Sequence, residues 1–207
     1  MPSVGALALA VVVALGTAGC GGLHRSGYQF VRSPKTGTYL KVPDDWTVFS
    51  QREIERYLAK AAPERKLDGF QFITTFDAGE HPSVAFDPAS TAPAGVVRVR
   101  PLSPDERDIA SFNTIRNELF DMQGTDGAEI TPTSTKEVQQ DGVRGQRIVF
   151  NRTDPLLGTS ATIDQTILVD KTTSRLYLLV VGCRPDCYER NKKAIDTVVT
   201  SLTIKER

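Results

Sequence analysis

The chain has 207 residues and a formal net charge of zero, with 25 Lys and Arg residues against 25 Asp and Glu residues, and 40% of its residues are hydrophobic. These values predict one globular domain with a hydrophobic core of its own. No run of basic residues occurs, which excludes nucleic acid as an expected partner and excludes a polybasic segment as the means of membrane attachment.

Residues 1–19 predict a leader for export. Val4–Gly19 is uncharged and rich in Ala, Val and Leu, and it is shorter than the roughly 20 apolar residues that a transmembrane helix requires. Its last residues, Thr17–Gly19, are small and directly precede Cys20, which resembles the lipobox of bacterial lipoproteins. In that group the Cys thiol receives a diacylglycerol and the leader is cleaved before it. Thr17 stands where Leu is commoner and Met1–Val4 lacks Lys or Arg, so a plain secretory peptide with an incidental Cys stays open.

The modification at Cys20 predicts where the mature protein lies. Acyl chains such as palmitate bury their methylenes in the bilayer, at about 0.8 kcal/mol each, and two or three chains make a durable anchor. We therefore expect a lipoprotein of the cell membrane on its extracytoplasmic face. We expect residues 20–37, rich in Gly, Ser and basic residues, to be a lipidated tether, and residues 38–207 to be the single domain.

The first half of the domain alternates between strand and helix patterns. Tyr39–Val42 and Trp46–Phe49 have strand alternation, and Pro43–Asp45 between them is a turn signal. Ser50 and Glu53 have the spacing of a capping box, which predicts a helix that ends before residue 63. Further strands are predicted at 70–76, 83–86 and 96–100, and the loop from 77 to 94 is rich in Pro.

The second half predicts two hairpins between two helices. A second capping box, Ser103–Glu106, opens a helix to about Met122. Strands at 135–140 and 143–150 flank the hairpin signal Asp141-Gly142, and strands at 159–169 and 175–181 form another hairpin. Leu176–Val181 is apolar at every position, which predicts a central strand covered on both faces. A last helix starts near Asp186, where Asp186 and Glu189 have box-like spacing. We predict an α+β fold with an antiparallel sheet flanked by helices on both faces, an α/β/α sandwich.

Several short motifs resemble one family. Tyr39–Trp46 is similar to the start of the PsbP-like domain. Asp164-Gln165, Leu168–Asp170, Leu176-Tyr177 and Cys183 to Asn191 resemble the LpqN-like group, actinobacterial lipoproteins of that fold. The resemblance covers most of residues 28–205 and implies an antiparallel sheet with helices on both faces. It also implies an accessory or binding protein, because the family includes a photosystem extrinsic subunit and a nuclear Ran-binding protein. It carries over no catalytic motif.

Cys183 and Cys187 are the only cysteines besides Cys20. If the chain is exported, two cysteines this close predict a disulfide that clamps the turn from a strand into the last helix. Redox pairs favour two intervening residues, and here there are three. A zinc site needs four ligands, and only His24 and His81 remain as further His ligands, so neither alternative is favoured.

Four other features are candidates for function. Trp46 either lines a ligand groove or belongs to the core, and His81 either serves a hydrolase or is an exposed loop residue. Asp44 and Asp45 suit a turn better than a calcium site, which needs six or more oxygens. The loop Gly79–Ala94 is either a functional surface or a mobile insertion. We predict Trp46 and His81 as the candidate binding surface, with no metal and no cofactor.

No nucleophile elbow or complete catalytic set occurs in the sequence. We therefore expect a non-catalytic lipoprotein of the cell envelope that binds a protein partner or an amphiphile. The alternatives are an envelope hydrolase built around His81 and an anchored structural or assembly factor without a ligand.

The intact mass of protein purified from its native membrane tests the anchor and the disulfide together. We expect a chain that begins at Cys20, carries added acyl mass, and is lighter by two protons than the same chain after reduction. A leaderless chain without acyl mass would identify a free secreted protein, and an uncleaved chain would contradict export.

Overall fold

The computed structural model describes residues 27–109, 115–120, 122–123, 126–140 and 142–205; the predicted leader and Cys20 lie outside these ranges. The described residues form ten strands and three helices. In chain order they are β1 (Tyr28–Ser33), β2 (Thr38–Pro43), β3 (Thr47–Phe49), α1 (Gln51–Ala61), β4 (Phe72–Asp77), β5 (Ala94–Pro101), α2 (Pro104–Ile109), β6 (Glu129–Gln140), β7 (Val143–Asp154), β8 (Thr159–Asp170), β9 (Arg175–Cys183), α3 (Pro185–Thr200) and β10 (Thr203–Ile204). None of the described helices is long and apolar enough to span a membrane.

Seven strands form one antiparallel sheet in the order β3-β4-β5-β9-β8-β7-β6. The strand predicted to be central, β9, lies in the middle between β5 and β8 and is buried from Leu176 to Cys183. Strands β1, β2 and β10 form a separate three-stranded antiparallel sheet. The hairpins predicted at β6–β7 and β8–β9 are both present.

Two hydrophobic clusters cover the two faces of the large sheet, because successive side chains of a strand point to opposite faces. Tyr177, Leu179 and Val181 of β9 pack in one cluster with residues of α3 and of the small sheet. Leu176, Leu178 and Val180 pack in the other cluster with α1 and with side chains from residues 67–70, 84–86, 115, 119–120 and 122. The predicted α+β class with antiparallel strands is confirmed. The predicted sandwich of helices did not include the second sheet, which packs with α3 on one face of the large sheet.

The predicted tether is wrong from Tyr28 onwards. Residues Tyr28–Ser33 form β1, which pairs with β2 over its whole length and buries Val31 and Ser33 on alternate positions. The polar composition of this segment suggested a linker, but only one face of an edge strand needs to be apolar. The folded domain therefore includes Tyr28–Ser33, which the predicted boundary at residue 38 left out.

Two other predicted elements differ from the structure. The second helix, predicted to reach Met122, is described as α2 up to Ile109; residues 110–114 lie outside the described residues, residue 115 is helical, and residues 116–120 are turns and bends. The short strand predicted at 83–86 is a loop. Its backbone bonds to side chains instead of a neighbouring strand: Thr75 Oγ1 donates to the Val84 carbonyl at 3.0 Å, and the Ser83 N–H donates to the Asp77 carboxylate at 2.9 Å.

The helix starts follow capping chemistry in two of three cases. The Ser50 N–H donates to the Glu53 carboxylate at 2.8 Å, and the Ser103 N–H donates to the Glu106 carboxylate at 2.8 Å, as the two capping boxes predicted. The third box does not form. Arg184 is the N-cap of α3, and Asp186 lies in its first turn.

A close approach between β7 and β8 requires glycine at position 145. A Cβ there would collide with the backbone carbonyl of Ile167. We expect Gly145→Ala to lower the free energy of unfolding by about 1–3 kcal/mol or more, measured by urea denaturation. Gly69→Ala is the control, since a Cβ at Gly69 meets no atom within 4 Å and should change stability by less than about 0.5 kcal/mol. Equal stability of the two variants would contradict this packing.

Candidate functional site

The two cysteines predicted to pair form a disulfide at the corner between β9 and α3. Cys183 is the last residue of β9, Cys187 lies in the first turns of α3, and their Cα atoms are 5.9 Å apart. Both side chains are fully buried in the cluster on the α3 side. The disulfide therefore holds the start of the helix to the central strand.

Trp46 and His81, which were predicted to form a binding surface, do not form a common surface in the structure. Trp46 is 5% exposed and stacks on Phe76 with ring centroids 5.9 Å apart, so it is a core residue and that prediction is wrong for it. His81 is exposed in the loop after β4, and within the described residues it makes no hydrogen bond or ion pair. Asp44 and Asp45 are exposed in the turn after β2, and the described residues include no cluster of three potential metal ligands.

The long loop from residue 78 to residue 93 is held by hydrogen bonds at both ends. Asp77 at the end of β4 accepts the N–H groups of Gly79 at 2.6 Å and Ser83 at 2.9 Å. At the other end, the Arg184 N–H donates to the Ser90 carbonyl at 3.0 Å, and Arg184 Nε donates to the Ala89 carbonyl at 3.0 Å. These bonds hold the loop in a defined conformation. Of the two predicted alternatives, they favour a functional surface over a mobile insertion.

That loop forms one wall of an apolar cleft of about 540 Å³. The cleft lies on the α1 side of the large sheet, between α1, the segment after it and the loop. Aliphatic and aromatic side chains form most of its lining. The lining residues are Ile54, Tyr57, Leu58, Ala61, Ala62, Arg65, Lys66, Leu67, Phe70, Ile73, Thr75, Val84, Ala85, Phe86, Val96, Arg98 and Leu119.

A cation forms part of the apolar wall of the cleft. Arg98 projects from β5, and its guanidinium carbon lies 5.5 Å from the centre of the Phe70 ring. Burial lowers the pKa of Arg98, although a guanidinium stays protonated at any physiological pH. Its Nε is buried and has no hydrogen-bond partner. A nearby carboxylate, Glu118, is engaged by Arg100, whose Nε and Nη2 each donate to it at 2.7 Å.

Two more cations stand at the rim of the cleft, where Arg65 and Lys66 are exposed. No carboxylate occurs among the described residues that line it. The cleft thus combines an apolar interior with an excess of positive charge. Such a combination suits a molecule with an apolar part and an acidic group.

A second, polar groove of about 510 Å³ lies on the other side of the sheet, between α3 and strands β6 to β8. Two of its lining residues, Arg147 and Tyr188, bond to Asp164, which is fully buried and accepts from Arg147 Nε at 2.9 Å and from the Tyr188 hydroxyl at 3.1 Å. Arg147 also donates to Asp196 of α3 at 2.5 Å. Burial raises the pKa of Tyr188, so its hydroxyl stays a donor. These charged groups satisfy one another, which indicates that they fix α3 to the sheet.

Sequence reasoning missed Arg98, Arg147 and Asp164. The available signal is a charged residue inside an apolar strand pattern, as Arg98 is within Val96–Val99. A strand buried on both faces has no solvent position for such a side chain, so the residue must find a partner or line a site. Which of these holds depends on neighbours distant in sequence, and only the structure supplies them.

No protein-family model matches the chain, and no curated protein matches it in sequence. Solved structures match it in fold. The PsbP protein CyanoP of Synechocystis sp. PCC 6803 superposes with a TM-score of 0.56, covering 91% of this chain and 99% of that one at 13% identity. The chain has the PsbP-like fold.

Two further proteins share the PsbP-like fold with this chain. LpqN of Mycobacterium tuberculosis, which is involved in cell envelope biogenesis, superposes with a TM-score of 0.52 over 86% of this chain and 91% of LpqN, at 12% identity. The Ran-binding protein Mog1p of Saccharomyces cerevisiae gives a TM-score of 0.51 over 86% and 95% of the two chains, at 10% identity. These matches confirm the resemblance drawn from the sequence. At such identities they establish the fold and not the ligand.

The buried ion pair of the polar groove makes a prediction about stability. Asp164→Asn removes the charge that faces Arg147 and should lower the free energy of unfolding by about 3–5 kcal/mol in urea denaturation. Asp196→Asn removes the exposed partner of the same arginine and should cost less than about 1 kcal/mol. An Asp164 variant as stable as the Asp196 variant would contradict the structural role of the network.

Proposed function

We propose that this chain is a non-catalytic, lipid-anchored module of the cell envelope whose apolar cleft binds an anionic amphiphile. The observation that carries the proposal is Arg98, a partly buried arginine in the wall of an otherwise apolar cleft, whose buried Nε has no hydrogen-bond partner. Of the two ligand classes expected from the sequence, a protein partner or an amphiphile, this feature favours the second.

The apolar part of the ligand follows from the lining. A cavity of about 540 Å³ lies within the range of small-molecule sites, which bury most of a ligand against hydrophobic walls. Phe70, Phe86, Leu58 and Leu67 provide such walls, and all four are partly buried against the cluster on this face. An alkyl chain placed among them would gain about 0.8 kcal/mol for each methylene removed from water.

The acidic part of the ligand follows from the charges. An unsatisfied buried donor costs free energy, and a buried charge costs more unless it is paired. An anionic head group at the rim would accept a charge-assisted hydrogen bond from Arg98 and would lie near Arg65 and Lys66. A neutral head group would leave the charge of Arg98 uncompensated.

The anchor at Cys20 completes the proposal. The supporting observations are the apolar leader, the small residues before Cys20, and the position of β1, which begins at Tyr28, eight residues after that cysteine. The shared fold with LpqN, an envelope biogenesis protein, agrees with this location. The hydrolase alternative lacks support, since His81 is exposed and is not among the residues that line the cleft.

Calorimetric titration with two probes of equal chain length tests the site. We expect dodecyl phosphate to bind more tightly than dodecyl maltoside. Arg98→Met keeps an apolar side chain of similar length but removes the charge, and it should weaken dodecyl phosphate binding at least about tenfold. Its effect on dodecyl maltoside should be small.

A cleft-filling variant controls for the location of binding. Leu58→Trp should weaken both probes, because it occupies volume that either alkyl chain needs. Unfolding curves of both variants establish that they fold. Equal affinities of wild-type protein for the two probes, or equal loss of both in Arg98→Met, would contradict recognition of an acidic head group. No binding of either probe would contradict the amphiphile site itself.

A further inference from the structure

The turn between β7 and β8 presents two exposed leucines. Leu156 is 91% exposed and Leu157 is 74% exposed, the two highest values among the large hydrophobic side chains that the structure describes. Single exposed apolar residues are common on protein surfaces, but two adjacent leucines at the apex of a hairpin form a projecting apolar point.

The turn does not need the leucine side chains for its own geometry. Asp154 Oδ1 accepts the N–H groups of Leu156 and Leu157, each at 3.0 Å, which is the side-chain-to-backbone bonding that Asp provides in turns. Gly158 supplies the left-handed backbone at φ 64° that returns the chain to β8. Polar residues at 156 and 157 would fit the same backbone, so the hairpin holds the leucines outward in a fixed position.

The hairpin extends beyond its neighbour at one end of the large sheet. Thr162 of β8 pairs with Cys183, the last residue of β9, so β8 continues past β9 to Thr159 and then to the turn. The same end of the sheet contains Asp77, Ala94 and Gly182, which follow each other in register across β4, β5 and β9.

The described chain also begins at this end. Thr47 of β3 pairs with Asp77, and just before it the Asp44 N–H donates to the Gly27 carbonyl at 3.1 Å. From β3 to β8 the sheet spans about 20 Å at the usual strand spacing. The side chains of Tyr28 and Phe30, 36% and 64% exposed, lie close to this start.

The length of chain before Gly27 limits how far the domain can stand from the anchor. Fully extended, the chain from Cys20 to Gly27 reaches at most about 25 Å. A domain held this close to a bilayer at one end must place that end near the lipid surface. The exposed leucines project from the same end, four strand spacings, or about 20 Å, along the sheet from β3.

We infer that the Leu156-Leu157 turn is a second membrane contact, which inserts into the lipid surface beside the acylated Cys20 and fixes the orientation of the domain. The inference rests on the anchor in the proposed function but not on the ligand of the cleft. A bilayer is favoured over a protein partner because the tether positions a bilayer at this end of the sheet.

Tryptophan fluorescence of the full lipidated chain in phosphatidylcholine vesicles tests the inference. Leu156→Trp places a reporter at the turn, and Lys171→Trp places one in the β8–β9 turn at the opposite end of the sheet. Wild-type protein supplies the background from Trp46, which is buried. We expect the Leu156→Trp emission to shift to the blue and to lose intensity when the acyl chains carry bromine. The Lys171→Trp emission should show neither change.

Intact mass and vesicle flotation, measured first, separate the failure of the anchor from the failure of the turn. A chain without acyl mass that does not float would refute the anchor, and the inference would fall with it. A floating, acylated chain whose Leu156→Trp signal matches the Lys171→Trp signal would overturn the membrane contact and leave the anchor intact. Loss of envelope crosslinks in Leu156→Ser/Leu157→Ser, together with an unquenched turn, would assign the leucines to a protein partner instead.

Discussion

The burial of β9 on both faces is the constraint on which the rest of the domain depends. From Leu176 to Cys183 the strand is buried without interruption, and it occupies the centre of the large sheet. A strand of this kind cannot leave either face to water, so each face needs a layer of its own. The two layers differ in construction. One is α3 with the small sheet, joined to β9 by the disulfide, and the other is α1 with loops.

That difference decides where a ligand can enter. On the α3 side, helix and sheet leave a groove whose buried charges are paired, since Asp164, Arg147, Asp196 and Tyr188 bond to one another. On the α1 side, α1 has only three turns, and the described residues of this side leave a cleft open beside it. The result is an apolar cleft with Arg98 in its wall, and the buried Nε of Arg98 has no hydrogen-bond partner.

Much of the fold could be predicted because its signals are local. The capping box at Ser50, the hairpin signal before Val143 and the unbroken apolar run of β9 each depend on a few neighbouring residues. The features that escaped prediction are non-local. β10 is two residues long and pairs with β2 across most of the chain, and β1 acquires its buried face only through that same small sheet. Arg98 gave a local signal, but its role depends on Phe70 and on the loop that faces it, which no spacing in the sequence brings together.

The loop from 78 to 93 connects the apolar cleft with the end of the large sheet near which the described chain begins. Its residues Val84–Phe86 line the cleft, whereas its base is bonded to Asp77 and Arg184 at the end of the sheet where the chain enters. If that end faces the bilayer, as the tether length and the exposed leucines favour, then one wall of the cleft is built on the membrane-proximal part of the domain. An amphiphile partitions into the same bilayer, because removing its methylenes from water gains about the same free energy in the bilayer as in the cleft. Net transfer from the bilayer into the cleft then depends on a group that the bilayer lacks, which is the partly buried guanidinium of Arg98 that would bind the acidic head group. For this reason the selectivity of the site should reside in Arg98 more than in its apolar walls.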